Sequence, residues 1–304
     1  MQFSVILVSY NASRDSLVKT LRSILKQRGV SFEVIFADDG SPDYPKNDLI
    51  ALCMQYNMWN YKFSDNSENV GTVRNLLRAL EIASGKYIKG IGAGDYFESE
   101  YLLRDVYTDI ITSDALIASV KMSSFYRDKN GLEVDYTSSF PYNKYLYDKK
   151  PLSNLMKANQ IIYQDNLSGA TLFYEKERLF YYLSLIKEKV IYCEDLIQCF
   201  YTLDGYETLF IDNQEIRYEY GIGISTSKDT NSRFLNDFKE FQILLEDRYS
   251  INNKWVKNRK RRISLIQNGG IGQKVLFTLT VYPLVCVSKF FIKSLRRILN
   301  RPLT

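Results

Sequence analysis

Phe32-Glu-Val-Ile-Phe-Ala-Asp-Asp-Gly-Ser41 is the stretch that decides the fold, because an apolar run there ends at two carboxylates, a glycine and a serine. A short apolar run bounded by turn residues is typical of a strand buried within a parallel sheet. Similar runs occur at 3–9 and 86–91, and apolar residues at helical spacing lie between the runs. This alternation predicts an α/β domain built from β-α-β units around a parallel sheet.

Polar or small residues follow three of these predicted strands, at 9–11, 38–41 and 92–95. Ligands of open parallel sheets bind beyond the carboxyl ends of the strands, so we expect the three segments to line one site. The paired carboxylates at 38–39 suit the donors of a nucleobase or a ribose, although Asp-Gly-Ser also suits an ordinary Asx turn. The single carboxylate of Asp95 suits a divalent cation on a diphosphate, although the glycines beside it also suit a tight turn.

Two further polar segments stand where predicted helices begin. The first contains Asn69, Gly71 and Arg74, which suits phosphates or ribose at a helix N-terminus, while the asparagine also suits a simple cap. The second is Glu194-Asp195, which follows a polar loop. Because the chain contains no histidine, a carboxylate is the natural general base for a hydroxyl nucleophile. Acidic residues at a helix start are also common as caps.

The residue types that are missing exclude several classes of function. Without histidine there is no His-based triad and no His-rich zinc site. The four cysteines lie far apart and lack metal-binding spacing. No export signal is recognisable at the N-terminus, so reduced thiols and a cytoplasmic location are expected.

Charge is distributed unevenly along the chain. Residues 251–304 carry twelve Lys or Arg and no Asp or Glu, whereas the first 250 residues carry 28 basic and 35 acidic groups. A basic tail on an acidic body indicates a tail that meets an anionic surface. The acidic body argues against nucleic acid as a partner.

The tail has two faces when it is drawn as a helix. From 289 onward, basic residues fall on one side and apolar residues on the other. The basic ones are Lys289, Lys293, Arg296, Arg297 and Arg301, and the apolar ones are Phe291, Leu295, Ile298 and Leu299. The uncharged stretch before them is shorter than the ~20 residues of a membrane-spanning helix. We expect residues 275–301 to lie on an anionic membrane surface. The alternative is packing on the rest of the chain or on a second subunit, so a homo-oligomer stays open.

Together these segments resemble glycosyltransferase family 2, over about residues 2–225. The opening strand through Asn11, Asp38-Asp-Gly-Ser41, the segment from Asn69 to Asn75 and Glu194-Asp195 are similar to motifs of that family. The family commonly has D-x-D or D-x-D-D where this chain has Gly92-Ala-Gly-Asp95, so two carboxylates are missing and only the last remains.

The resemblance implies an α/β GT-A fold, the Rossmann-like mixed sheet of nucleotide-diphospho-sugar transferases, with a helical C-terminal extension. The catalytic domain would span residues 1–225, with the donor half at about 1–100 and the acceptor half at about 101–225. The extension would span 226–304 and end in the basic amphipathic tail.

The resemblance also implies roles for individual residues. Asp195 would be the general base, with Glu194 beside it, and Asp39 would contact the uracil of the donor. Asp95 would hold a divalent metal, Mn²⁺ or Mg²⁺. The donor-binding set would be Ser9, Tyr10, Asn11, Asp38, Asp39, Asn69, Gly71, Arg74, Gly92, Ala93, Gly94, Tyr220, Ser225 and Thr226. The acceptor side would be Ser168, Gly169, Ala170 and Thr171.

The function implied is that of an inverting, hexosyltransferase-type enzyme. It would move a sugar from a nucleotide-sugar, a UDP-sugar, to a hydroxyl of a lipid-linked saccharide acceptor. The setting would be biosynthesis of a bacterial surface polysaccharide such as a capsule, with the protein peripheral on the inner face of the cell membrane. The missing carboxylates leave an alternative, a catalytically weak GT-A pseudo-enzyme that acts as the partner subunit of another transferase.

Overall fold

The structure is a computed structural model that describes residues 1–136, 146–147, 153–221 and 231–285, with only the backbone at 231–233. Most of the motifs named above lie within these ranges, but Ser225, Thr226 and the tail beyond residue 285 lie outside them. The proposed boundary between catalytic domain and extension, at 225–226, also lies outside the described residues.

The first hundred residues form the parallel part of the sheet. Its elements are β1 (Phe3–Ser9), α1 (Arg14–Leu25), β2 (Phe32–Asp38), α2 (Lys46–Gln55), β3 (Tyr61–Phe63), α3 (Thr72–Ile82) and β4 (Tyr87–Gly92). Strand β1 lies between β2 and β4 and runs parallel to both, and β3 is parallel to β2 at the edge. The predicted β-α-β units are therefore present, and the carboxyl ends of β1, β2 and β4 lie at the same edge of the sheet.

The next segment extends this sheet with strands of both directions. Its elements are β5 (Tyr96–Phe97), α4 (Leu102–Ser113), β6 (Ile117–Arg127), β7 (Glu133–Tyr136), α5 (Asn154–Lys157), a π-helical turn (Ala158–Ile162), a 3-10 turn (Gly169–Thr171), β8 (Leu172–Glu175), α6 (Lys176–Ile186), a second 3-10 turn (Glu194–Ile197), α7 (Gln198–Leu203) and β9 (Thr208–Glu219). The strand order is β3-β2-β1-β4-β8-β6-β9-β5, with β7 on β6. Strand β8 is antiparallel to β4 and β6, which makes the sheet mixed.

Helices cover both faces of the sheet. Side chains alternate along each strand, so in β1 Val5 and Leu7 face a core with α1, α2 and α4, while Ile6 faces the opposite core. That second core is completed by α3, α6 and by Phe241 of α8 (Asn231–Tyr249). The C-terminal helices therefore contribute to the same core that supports the sheet.

Two further helices follow, α9 (Lys254–Asn268) and α10 (Ile271–Thr280). A break separates α8 from α9, because Ser250 has φ +67° and Asn253 caps α9 by accepting from Trp255 N. One face of α10 packs inward through Phe277, and the Tyr163 hydroxyl donates to the Val281 carbonyl just beyond it. Among the helices described, none combines the length and the apolar character that crossing a bilayer requires.

Candidate functional site

The ends of β1 and β2 are tied together by Asp38. The Ser9 hydroxyl donates to Asp38 Oδ1 at 2.9 Å, and Ser41 N donates to Oδ2 at 2.7 Å. Asn11, whose φ is +50°, donates its N–H to Ser41 Oγ at 2.8 Å, and Tyr10 beside it is exposed. Asp38 therefore closes an Asx-type turn and fixes the floor of the strand-end site.

Asp39 faces the other way and holds the segment that leads into α3. Its side chain is only 4 % exposed. Oδ1 accepts from Asn66 Nδ2 and Val70 N, and Oδ2 accepts from Gly71 N, each at 2.9 Å. A carboxylate oxygen can accept two hydrogen bonds, so Oδ2 keeps capacity for one further donor. In this structure Asp39 is first of all the anchor of the 66–71 segment.

The start of α3 packs against a distant loop. Gly71 has φ +87°, and a Cβ there would lie 2.3 Å from Ile191 Cγ2, so a larger side chain does not fit. Asn69 is exposed on the same segment. The Arg74 guanidinium contacts Glu188 at 3.0 Å and donates to the Lys187 carbonyl at 3.1 Å. The structure therefore places Arg74 at the C-terminal end of α6 and engages it there in an ion pair.

The end of β4 is a tight turn around the Thr20 hydroxyl. Ala93 N donates to the Val8 carbonyl at 3.1 Å, which follows the register of β1 and β4. Thr20 Oγ1 accepts from Gly94 N at 2.9 Å and donates to the Asp95 carbonyl at 2.7 Å. This turn directs the buried Asp95 carboxylate toward the end of β9, where Glu219 N donates to its Oδ1 at 2.9 Å.

Glu194 and Asp195 sit against the 3-10 turn that carries the expected acceptor-side residues. A Cβ on Gly169 would lie 2.7 Å from Glu194 Oε1 and 3.5 Å from Asp195 Cβ. Ser168 and Thr171 shape this turn, since the Thr171 hydroxyl donates to the Ser168 carbonyl at 2.9 Å. The structure thus brings together two segments that the sequence placed 23 to 27 residues apart.

Burial sets the protonation behaviour of this pair. It raises the pKa of the Asp195 carboxyl, an effect that backbone N–H groups of Asp195 and Gly169 reduce. Burial also raises the pKa of Glu194, and the neighbouring charge of Asp195 raises it further. Two adjacent carboxylates with raised pKa values can hold and release a proton near neutral pH, which is what a general base requires.

Lys89 connects the two sides of the site. It is fully buried in β4, and its ammonium donates to the carbonyl oxygens of Ala170 and, at 3.3 Å, Leu172. Burial lowers its pKa to about 7, against the opposing charge of Asp95. The strand end that carries Asp95 is therefore linked through one side chain to the turn that seats Glu194 and Asp195.

Asp237 of α8 fixes the loop that precedes Glu194. Its carboxylate accepts from three consecutive backbone N–H groups, those of Ile191 (3.1 Å), Tyr192 (2.7 Å) and Cys193 (3.0 Å). The same Ile191 packs on Gly71, and its carbonyl accepts from Val73 N at 3.1 Å. The Asp237 carboxylate thus positions a loop that packs on Gly71 at the start of α3 and leads directly into Glu194.

The family of the chain follows from comparison with known proteins. A family model, Glycosyl transferase family 2, matches residues 4–164, more than half of the 304 residues. The chain belongs to glycosyltransferase family 2.

Two curated proteins match part of the family 2 domain. The amylovoran biosynthesis glycosyltransferase AmsB of Erwinia amylovora is 30 % identical over 108 residues, which cover 35 % of this chain and 35 % of AmsB. The glycosyltransferase GlyG of Streptococcus pneumoniae serotype 4 is 29 % identical over 112 residues, which cover 37 % of this chain and 36 % of GlyG. The match thus spans about a third of the length of each relative.

Solved structures of S. aureus TarS share the fold. The 1–349 fragment of TarS in complex with UDP-GlcNAc matches with a TM-score of 0.51 and 20 % identity, covering 97 % of this chain and 90 % of that one. A longer TarS chain matches with a TM-score of 0.51 and 19 % identity, covering 95 % and 53 %. The predicted GT-A fold with a helical C-terminal region is therefore confirmed.

The family 2 metal motif is where sequence reasoning missed a residue. Glu219, the last residue of β9, is 3 % exposed and accepts from Arg127 Nε at 2.8 Å through Oε1. Its Oε2 has no hydrogen-bond partner among the described residues. Burial and the charge of Glu219 raise the pKa of Asp95 to about 7. The only signal in the sequence was an acid in Tyr218-Glu-Tyr220, whose pairing with residue 95 depends on strand order.

The last donor-binding residues of the family 2 resemblance are only partly described. Tyr220 stacks against Tyr136 with ring centroids 4.5 Å apart, and its N–H donates to the Phe125 carbonyl at 2.7 Å. Ser225 and Thr226 lie outside the described residues. No group of three or more Asp, Glu, His or Cys side chains arranged for a metal occurs within residues 1–136, 146–147, 153–221 and 231–285.

Proposed function

We propose that this family 2 chain is an inverting, hexosyltransferase-type enzyme that moves a sugar from a UDP-sugar to a hydroxyl of a lipid-linked saccharide. The setting is the assembly of a bacterial surface polysaccharide, such as a capsule, on the inner face of the cell membrane. Residues 1–225 would form the catalytic domain and 226–304 its helical extension. The supporting observation is the Lys89 link between the strand end of Asp95 and the turn that seats Asp195.

Asp195 is the proposed general base. A hydroxyl that attacks an anomeric carbon must lose its proton, and a carboxylate within hydrogen-bond reach can accept it. Its raised pKa makes Asp195 a stronger base than an ordinary exposed aspartate. Gly169 leaves the space that the Glu194 carboxylate occupies, and the acceptor would approach over the turn from Ser168 to Thr171.

The strand-end edge is the proposed donor site. Asp38 and Asp39 fix the two segments that flank it, and Oδ2 of Asp39 keeps capacity for a donor such as the imide N–H of uracil. Asp95 suits a divalent cation, Mn²⁺ or Mg²⁺, together with the Glu219 oxygen that has no partner among the described residues. When bound, such a cation would offset the charge of the leaving diphosphate.

The C-terminal helices are the proposed membrane contact. Ile271, Val275 and Leu279 follow one another at four-residue intervals on α10, and all three are exposed. The other face of α10 is occupied by its contacts with the catalytic part, through Phe277. An exposed apolar stripe ahead of the basic stretch 289–301 suits an anionic lipid surface.

Donor specificity and turnover test the function together. Thermal denaturation of the full chain should shift upward with UDP and with one UDP-sugar, and less with GDP- or CDP-sugars, because ligands of the native state stabilise it. UDP release from that UDP-sugar should then rise on addition of a lipid-linked saccharide. Binding of UDP-sugar without any turnover would favour the pseudo-enzyme, and absence of nucleotide binding would end the proposal.

Flotation with anionic liposomes tests the membrane contact separately. The variant Ile271→Ser/Val275→Ser/Leu279→Ser changes only exposed side chains, so it should fold and bind UDP as the wild type does. We expect it to float less than the wild type, and the wild type to float less at high salt. Equal flotation of the two proteins would show that α10 makes no membrane contact.

A further inference from the structure

We propose that Glu219 supplies the second carboxylate of a divalent-cation site, together with Asp95. This inference rests on the proposed function, because it gives the cation's ligands in the same donor site. It accounts for a departure in the family 2 motif, where Gly92 and Gly94 stand in place of carboxylates. The structure assigns the missing acid to a strand that lies 124 residues further along the chain.

The space left by Gly94 is the space that Glu219 uses. A Cβ on Gly94 would lie 2.6 Å from Glu219 Oε2, closer than such atoms approach, and 3.4 Å from Glu219 Cβ. Gly94 also has φ +107°, which L side chains rarely adopt. A side chain at residue 94 would therefore displace the Glu219 carboxylate from its observed position, and glycine at 94 leaves that position free.

The hydrogen bonds around the two carboxylates leave one oxygen of Glu219 unpaired. Asp95 Oδ1 accepts from Glu219 N, and Glu219 Oε1 accepts from Arg127 Nε. Glu219 Oε2 is buried and has no partner in the described part of the chain. A buried carboxylate oxygen without a partner is costly, and a second carboxylate beside it adds repulsion. A cation bound between them would remove both penalties.

The chemistry of these ligands narrows the choice of ion. Both side chains offer only oxygen, which favours Mg²⁺ or Mn²⁺ over metals that prefer nitrogen or sulfur. Arg127 offsets one of the two negative charges, while the nearby Lys19 is paired with Glu133. The protein alone therefore offers little net charge to a divalent ion. A nucleoside diphosphate would add further negative charge and oxygen ligands, so ion and UDP should bind cooperatively.

Mn²⁺ binding, measured by the loss of the free-ion EPR signal, tests the site without reference to catalysis. The full-length wild type should bind one Mn²⁺ weakly alone and more tightly with UDP. Glu219→Gln should weaken the UDP-dependent binding by at least about tenfold, the range seen when metal sites lose a supporting group. Asp212→Asn is the matched control, since it removes an exposed carboxylate of the same strand that pairs with Lys121 rather than with Arg127. It should leave Mn²⁺ binding unchanged.

For a second variant we expect the Mn²⁺ affinity to change in the opposite direction. Arg127→Gln removes the cation that competes for Glu219, so Mn²⁺ should bind more tightly, by a few-fold. If Glu219 only holds Arg127 in place, the Arg127 variant leaves Mn²⁺ affinity unchanged or lower, and the inference is wrong. Wild-type affinity in Glu219→Gln, or no Mn²⁺ bound by the wild type with UDP, would also overturn it.

The cation site and the transferase function can fail separately. Turnover of a UDP-sugar in EDTA, with no Mn²⁺ bound by EPR, would remove the cation site and leave the function standing. Mn²⁺ binding that depends on Glu219 and UDP, without turnover of any UDP-sugar, would remove the function and leave the site standing.

Discussion

The site contains two pairs of carboxylates that are built in different ways. Glu194 and Asp195 are neighbours in sequence, whereas Asp95 follows β4 and Glu219 ends β9, 124 residues further along the chain. Each pair lies against a glycine whose missing Cβ leaves room for it, Gly169 in one case and Gly94 in the other.

The surroundings of the two pairs also differ. Arg127 pairs with Glu219, while no ion pair to Glu194 or Asp195 occurs among the described residues. Burial without a compensating cation suits a group that must exchange a proton. A buried carboxylate oxygen without a partner among the described residues suits a metal ligand, with Arg127 as the cation that competes for it. In this account, the surroundings of each carboxylate pair, and not its residue types, distinguish a role in proton transfer from a role in metal binding.

A side chain that crowds the Glu194–Asp195 carboxylates should have the largest effect. In Gly169→Ala the new Cβ would press on Glu194 Oε1, and a displacement of this kind near reacting groups can cost about 100-fold in rate. UDP affinity should not change, because the turn lies on the acceptor side. Gly90→Ala is the control, since a Cβ there meets nothing within 4 Å. Equal rates for the two variants would show that the base is elsewhere.

A side chain that crowds Asp95 and Glu219, the proposed cation ligands, should weaken donor binding instead. Gly94→Ala would place a Cβ 2.6 Å from Glu219 Oε2, so UDP should lose about tenfold in affinity with Mn²⁺ and nothing in EDTA. The positive φ of Gly94 costs an alanine about 1–2 kcal/mol by itself. Gly205→Ala shares that cost, with φ +93° and open space around it. Calorimetric UDP titrations in which both variants behave alike would separate Glu219 from the donor.

Weaker anchoring of the loop 191–193, which precedes Glu194, should have a moderate effect. In Asp237→Asn the three N–H groups of residues 191–193 lose a charged acceptor, which should cost about 1–3 kcal/mol in the free energy of unfolding. Transfer should slow several-fold, while Asp247→Asn on the exposed face of α8 should change neither quantity. Urea unfolding and initial rates measure the two effects, and an unchanged rate at reduced stability would limit Asp237 to a structural role.

The pH dependence of kcat/KM should report the protonation of Asp195, as a smaller effect than those above. Burial raises the pKa of Asp195 above its usual range, and a base must be unprotonated, so kcat/KM should fall as the pH falls through that raised pKa. The folded state also keeps a proton that the unfolded chain releases at its ordinary pKa of about 3.9. The contribution of Asp195 to folding stability is therefore lost as the pH rises from the ordinary pKa of the unfolded chain through the raised pKa of the folded protein. A pH–rate profile that stays flat down to pH 4 would contradict the assignment.

The sequence predicted the parallel half of the sheet well because the determinants there are local. The apolar runs at 3–9, 32–37 and 86–91 became β1, β2 and β4 with ends shifted by a residue at most. The helix predicted to begin at Glu194-Asp195 starts instead as a 3-10 turn, Glu194–Ile197, before α7 continues it. Propensity and periodicity describe such elements, since each is decided within a few residues.

The remaining parts of the site depend on long-range pairing that no local pattern contains. Glu219 meets Asp95 only because β9 is parallel to β6 and antiparallel to β5. Asp237 reaches the 191–193 loop because α8 packs into the core beside α6. Arg74 belongs to the expected donor set, and its ion pair with Glu188 depends on the docking of α6 on α3, which the sequence does not specify.

Replacement of Asp195 by asparagine tests the central claim most directly. Transfer to a lipid-linked acceptor and UDP affinity are measured on the same full-length protein, with Glu194→Gln as the control that alters the other carboxyl of the pair. The account predicts that Asp195→Asn loses about 10²–10⁴-fold in transfer rate, as is typical when a general base is removed, and keeps wild-type affinity for UDP. It also predicts a smaller loss for Glu194→Gln. Transfer at close to the wild-type rate in Asp195→Asn would contradict the account.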